Sequence, residues 1–376
     1  MEIRKSLKSR FLSAVPVVAL LTTCIQLGRA EGPSGDVYVM TNQSKGNSVM
    51  VFHRDATGML TFSATFASGG NGAGTGADPL GSQGALVLSE DQRLLFAVNA
   101  GSDSVSVFAV WGDRLKLLDT VPSGGAMPVS LAVQHGLVYV LNAAGTPNIS
   151  GFFIDPETNR LVPLEGSTQD LPGGAAAAPA EVSFTPDGSA LVVTEKGTSS
   201  IATFALDKGR PGAGVSFPSS GATPFGFSFG HDDVLIVSDA AGGPAGTAAV
   251  SSYAVDEDGH VAIVTPALGD TQKAACWLVV PRNGRFAYTA NAASNTISEY
   301  GVSEDGNLTL LNAVAASTGT GSTPTDMALS GNSHFLYTRD GGKGAVSGFR
   351  IGADGALTPI ATAAGVPAGS QGIAAR

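Results

Sequence analysis

PAEVSFTPDGSALVVTEKGTSSIATFALD, residues 179–207, holds the unit that decides the fold. A Pro-led alternating run ends in a Pro-Asp-Gly turn, a β-branched run follows from Leu191 to Glu195, and another such run carries an aromatic at Phe204. Short β-branched runs separated by turn residues read as antiparallel strands. The same pieces recur in fixed order along the chain. A β-branched and aromatic run closing on a polar residue ends at Asn42, Asn99, Asn142, Glu195, Asp239, Asn291 and Asp340, at spacings of 43 to 57 residues. The run after each carries Phe52, Phe108, Phe152, Phe204, Tyr253, Tyr300 or Phe349. Gly-led hairpins into an edge strand follow at Gly58, Gly306 and Gly355, while the fourth copy, around Asp207 to Val215, lacks one. Pro-led segments like that at Pro179 begin at Pro128, Pro224 and Pro324.

Each copy thus supplies four strands. One four-stranded sheet cannot bury both faces alone, so seven copies point to an all-β, seven-bladed β-propeller with four-stranded antiparallel blades. The innermost strand of the first blade is missing from its own copy. The tail from Ser370 and Gln371 echoes Ser82 and Gln83, which lead into the innermost strand of the second blade. The C-terminal strand is therefore expected to pair with the N-terminal blade, closing the ring and removing both free edges. Residues 31–376 form one domain on this reading, with Gly69 to Gly76 an inter-blade loop.

Composition agrees. Of 376 residues, 43% are hydrophobic, 14% charged and 50 are Gly, which suits buried sheet and tight turns and excludes disorder. Lys+Arg 21 against Asp+Glu 31 gives a net charge of −10, which argues against nucleic acid as a partner. Residues 1–30 read as a signal peptide: Arg4, Lys5, Lys8 and Arg10 precede an apolar run from Phe11 to Leu21, and Gly28 and Ala30 place small residues before a cleavage point at Glu31. A lipobox-like Leu21 to Cys24 is the alternative, with Thr23 a poor fit before the cysteine. The apolar run is short for a spanning helix, so the mature chain is expected to be soluble, monomeric, and periplasmic or extracellular. Cleavage removes five basic residues and one acid, leaving 16 − 30 = −14, and a single thiol at Cys276 that cannot form an internal disulfide.

These repeats resemble the lactonase-type seven-bladed propellers, which include 6-phosphogluconolactonases and carboxymuconate cycloisomerases. The likeness rests on the Pro-Asp-Gly turn, the strand ending in a polar residue, the following strand with its aromatic, and the Asp-Gly-x-Leu-Thr hairpin, as at Asp305 to Thr309. The resemblance implies a lactone as possible substrate and His, Arg and Glu around one mouth of the central channel, the His two residues after the Pro of an innermost strand. Here those positions are Ser130, Glu181, Gly226 and Asp326, with Trp277 in the sixth blade, and none is His. Glu195, followed by Lys196, is the best match to the Glu, and Arg339 is the nearest candidate for the Arg.

Glu195, Glu181 and Asp326 are thus the catalytic candidates, because carboxylates crowded in one funnel raise one another's pKa. Ser130, Lys196, Trp277 and Arg339 are the candidates for binding substrate, and Asp239 and Asp340 are expected to face the same channel. No cofactor or metal is expected: His53, His135, His231, His260 and His334 are scattered in or beside turns and on a strand. Gly226 to Gly230 matches G-x-S-x-G, but Ser228 lies in an alternating strand with no helix after it. Asp256 to Gly259 reads as a turn rather than a calcium loop. Two functions stay open: a lactonase-like enzyme for a small sugar or aromatic-acid lactone, and a non-catalytic module binding a protein partner through the loops Gly69 to Pro79, Leu171 to Pro179 and Ala240 to Thr247.

Overall fold

The computed structural model describes residues 33–242 and 246–376; the expected signal peptide lies outside the described residues. Seven antiparallel sheets, each ordered from an axial strand outward, form the propeller. Gly35–Met40, Ser48–Arg54 and Leu60–Ala67 build the first blade, and Ile373–Ala375 supplies its innermost strand, pairing Val37 with Ala375 and Val39 with Ile373. The expected closure by the tail is what the register shows. The second blade starts at Leu86–Leu88 and the third to seventh at Ala126–Gln134, Pro179–Phe184, Pro224–Phe229, Ala275–Val279 and Pro324–Leu329. In the fourth blade the hairpin expected to be absent is present, with Gly209 at φ 77° leading into an outer strand broken into Arg210–Pro211 and Val215–Pro218, as the outer strands of the third and seventh blades are also broken.

Burial follows strand position. Second strands such as Leu94–Asn99 and Ala190–Glu195 are buried at every residue, whereas outer strands such as Leu60–Ala67 are mostly exposed or half-exposed. The seven aromatics from Phe52 to Phe349 are all buried and fill the space between blades. Each of these side chains contributes about 1.5–3 kcal/mol on burial.

The hairpin glycines have a particular task. Tyr139, Thr203, Ser252, Tyr288 and Tyr337 each donate a hydroxyl hydrogen bond to the carbonyl of Gly209, Gly259, Gly306, Gly355 and Gly58 on the following blade, at 2.6–2.8 Å. All five glycines have φ between 77° and 92°, and a Cβ at Gly58 or Gly306 would overlap Phe335 or Val234 of the neighbouring blade. The motif is therefore a lock between blades, which glycine permits through both its backbone freedom and its lack of a side chain.

Candidate functional site

A left-handed residue stands at or shortly before the start of every innermost strand: Met127, Ala178, Thr223, Ala274 and Thr323, with Gly81 and Gly369 in the two Ser-Gln copies. Register shifts follow at once, as between Pro179 and Glu181, and turn the third residue of each start toward its neighbour. The result is a belt of hydrogen bonds around the axis. Ser130 Oγ accepts from Val182 N at 3.2 Å, Glu181 Oε2 from Phe227 N at 2.6 Å, and Asp326 Oδ2 from Ile373 N at 3.2 Å, each joining one blade to the next. Where the second blade has Gly84, its carbonyl serves Leu131 N instead.

Gly226 has no side chain to offer the sixth blade. Gln83 reaches across the axis to fill the gap: its Oε1 accepts from Leu278 N at 2.9 Å, and its Nε2 donates to Leu278 O, Phe227 O and Glu181 Oε1. A Cβ on Gly226 would overlap Gln83 Oε1 and stand 2.8 Å from Cys276 O. Gly226→Ala is therefore expected to expel the amide and strand Leu278 N, costing roughly 2–4 kcal/mol, read as a lower denaturation midpoint in urea. Gly269→Ala, where φ is ordinary and an added Cβ meets only Ala248 O at 3.8 Å, is the control for a methyl group that displaces nothing. Equal losses in the two variants would dismiss the crossing as a stabilising element.

Residues 77–83 span one mouth above this crossing. Lys196 Nζ donates to Gly81 O and lies 4.9 Å from the Phe225 ring centroid, and Trp277 Nε1 donates to Ser82 O at 2.9 Å. Arg339 Nη1 donates to Ala77 O at 2.8 Å and to Thr325 Oγ1 at 2.7 Å, while its buried Nε and Nη2 have no partner. Gln371 Nε2 donates to Asp78 Oδ1 at 2.6 Å, and Gly81 N donates to the same oxygen at 3.0 Å. Asp78 is open to solvent, yet the protein crowding its carboxyl raises its pKa against the opposing pull of Gln371, Lys196, Gly81 N and Arg339. Burial lowers the Lys196 pKa and brings Arg339 down to about 10.

The structure thus brings Lys196, Trp277 and Arg339 together on the stretch 77–83, which carries a residue not foreseen, Asp78. Ser130, Glu181 and Asp326 sit in the belt, and burial pushes Asp326 up to about 7. Glu195 is fully buried in a different set of contacts, accepting from Thr198 Oγ1 at 2.8 Å, Ser200 Oγ at 3.1 Å and Gly173 N at 3.2 Å. Its counterparts do the same work in other blades: Asn99 holds Ser106, Asn291 holds Ser298, Asp239 holds Ser251 and Asp340 holds Ser347. Asp239 and Asp340, expected to face the channel, are instead buried in these clasps. Among the described residues no group of His, Cys, Asp and Glu suits a metal ion. Asp256 accepts from Asp258 N and His260 N, which makes that segment a turn.

The clasp acids carry a pH signature. Burial pushes Asp239 up to about 7 and Asp340 to about 6, against about 3.9 in an unfolded chain. Their folded pKa is raised, so the native state binds the proton more tightly, and the stability this adds is present below about pH 4 and lost as pH rises toward 7. Asp239→Asn, which installs the amide found at Asn99 and Asn291, is expected to flatten the fall in urea midpoint between pH 5 and pH 8. An unchanged slope would remove Asp239 as its source.

These features define a single-chain seven-bladed propeller whose axis is bridged in the middle and charged at one mouth. Residues 36–175 and 240–372 match the family model described as Lactonase, 7-bladed beta-propeller, and the chain belongs to that family. The unmatched interval, 176–239, contains Glu181, Glu195, Lys196 and Gly226. Among solved structures, the periplasmic gluconolactonase of Pseudomonas aeruginosa is similar with a TM-score of 0.67 at 16% identity, covering 90% of this chain and 98% of its own. A candidate 6-phosphogluconolactonase from Bacteroides uniformis has the same TM-score at 18% identity, again covering 90% and 98%. A protein from Lactobacillus plantarum reaches 0.69 at 18% identity, with the same coverage. No curated protein matches the chain. At these identities the structural likeness speaks for the fold alone.

Proposed function

We propose that this propeller hydrolyses a small lactone at the mouth spanned by residues 77–83. The observation that carries the reading is a solvent-reachable carboxyl of raised pKa, Asp78, influenced by Lys196, whose ammonium has donors to spare, and by the buried Arg339 guanidinium. Asp78 takes a proton from water as the water oxygen attacks the lactone carbonyl. Negative charge gathers on the carbonyl oxygen, where Lys196 Nζ stabilises it directly and the buried Arg339 guanidinium adds its positive charge from beneath. Collapse breaks the ring C–O bond, the ring oxygen takes the proton back from Asp78, and the product hydroxy acid ionises, releasing one proton to solvent. The lactonase family and the gluconolactonase among the structural neighbours support a sugar-acid lactone as substrate. The reading places the base at Asp78 rather than Glu195, whose oxygens are committed to Gly173, Thr198 and Ser200.

The test is proton release by the purified protein against sugar-acid and aromatic-acid lactones. Turnover of a sugar-acid lactone is expected, with Lys196→Met lowering kcat roughly 10²–10³-fold. Background rates across the panel would refute the reading.

A further inference from the structure

Below the Gln83 crossing, at the opposite end of the axis, a funnel of about 440 Å³ opens between the second and sixth blades. Gln83 and Glu181 line its depth, Phe184, Phe227 and Phe229 are among its walls, and exposed Glu90 belongs to its lining. Among the described residues, no Lys, Arg or His lines it. Glu181 is only 7% exposed, and its two oxygens accept from Phe227 N and Gln83 Nε2, both uncharged. The charged group that acts on it most is another acid, Asp326, so burial and repulsion together hold its pKa well above the usual range. A buried carboxyl without a counter-charge, within an aromatic-walled cavity of an acidic protein, lacks one thing: a cation on an apolar body.

We propose that this funnel is a second ligand site, separate from the Asp78 mouth, and that it takes a small organic ammonium ion. The ammonium group sits at Glu181 and its apolar body lies against Phe184, Phe227 and Phe229. The cavity volume suits a molecule of drug-fragment size, and the absence of any basic lining residue turns away the anionic hydroxy acids that the other mouth would release. Where Glu181 carries its proton, a bound ammonium favours the carboxylate and displaces that proton to solvent, up to one for each ammonium bound. Charged and titratable groups near Glu181 are Asp326 on the seventh blade's innermost strand and Glu90 in the funnel lining.

Isothermal titration of the purified protein with benzyltrimethylammonium, benzyl alcohol and phenylacetate tests this. Saturable one-to-one binding of the cation is expected, at least tenfold tighter than the alcohol, with no binding of the anion. Repeating the titration near pH 7 in buffers of different ionisation enthalpy is expected to show release of up to one proton. Glu181→Gln should abolish that release and weaken binding tenfold or more. Phe229→Ala should weaken binding and leave the proton count unchanged, and Asp78→Asn should alter neither. Equal binding of alcohol and cation, binding without proton release, or no binding of the cation would each overturn the proposal. Should Glu181→Gln fail to fold, the wild-type proton count and Phe229→Ala decide it.

Discussion

Asp78→Asn is expected to lower kcat for lactone opening by roughly 10²–10⁴-fold, the range in which a positioned general base acts. The amide keeps an acceptor for Gln371 Nε2 and Gly81 N, so the loop stays in place and KM should change little. The carboxyl works only when deprotonated, and its raised pKa sets the rising limb of the pH–rate profile above the ordinary carboxylate range. That limb should vanish in the variant together with the rate. Unchanged kcat would sink the assignment of Asp78, whereas loss of rate with a persisting limb would pass the base's role to another group. Because this variant leaves the Glu181 funnel untouched, a dead hydrolase that still binds an ammonium ion would separate the two proposals.

Removal of residues 370–376 is expected to have the largest effect on stability. It takes away the innermost strand of the first blade, the contacts of Gln371 with Leu80, Ser82 and Asp78, and the acceptor link between Asp326 and Ile373 N. The ion pair of Arg376 with Asp36, at 2.6 Å, goes with them, as does the carbonyl to which Arg54 donates. Five or more hydrogen bonds at about 1 kcal/mol each, plus about 2 kcal/mol for burying Ile373, put the loss above about 5 kcal/mol. For a chain of this size the thermal midpoint should fall by roughly 10 °C or more. The open edge of Gly35–Met40 should also drive self-association, visible by light scattering. Recovery of the midpoint when a peptide of residues 368–376 is added back would attribute the loss to strand pairing. A truncated chain as stable as the parent would dismiss the closure as a source of stability.

The fold was legible because its signals are local and repeated. The aromatic of each third strand, the Gly that leads outer hairpins such as those at Gly58, Gly306 and Gly355, and the Ser-Gln echo between residues 82 and 370 each mark a place in the blade, and seven copies of the same strand pattern leave little freedom. The site was legible only in part, because neighbours across the axis are far apart in sequence. Lys196, Trp277 and Arg339 emerge together, but Asp78 lay inside a stretch that reads as a Gly-rich connection, and nothing local says that it folds back over the channel. Glu181 and Asp326 stood out as carboxylates near the axis, yet their role in tying Phe227 N and Ile373 N to the preceding blade depends on bulges that sequence does not display. Gln83 was the missed clue. Only the side chain absent at Gly226 explains why a glutamine must cross the ring.

The pairing of Val37 with Ala375 also fixes the order of assembly. Strands made first on the ribosome gain their last partner only when residues 373–375 have emerged, so the first blade is the last to be completed. Middle blades can zip to their neighbours as hairpins appear, but the ring awaits a contact spanning more than three hundred residues. Such a long-range contact places the slow step of folding at the seam, once Ile373–Ala375 is available to pair. Until then the chain remains an open arc, its first blade one strand short.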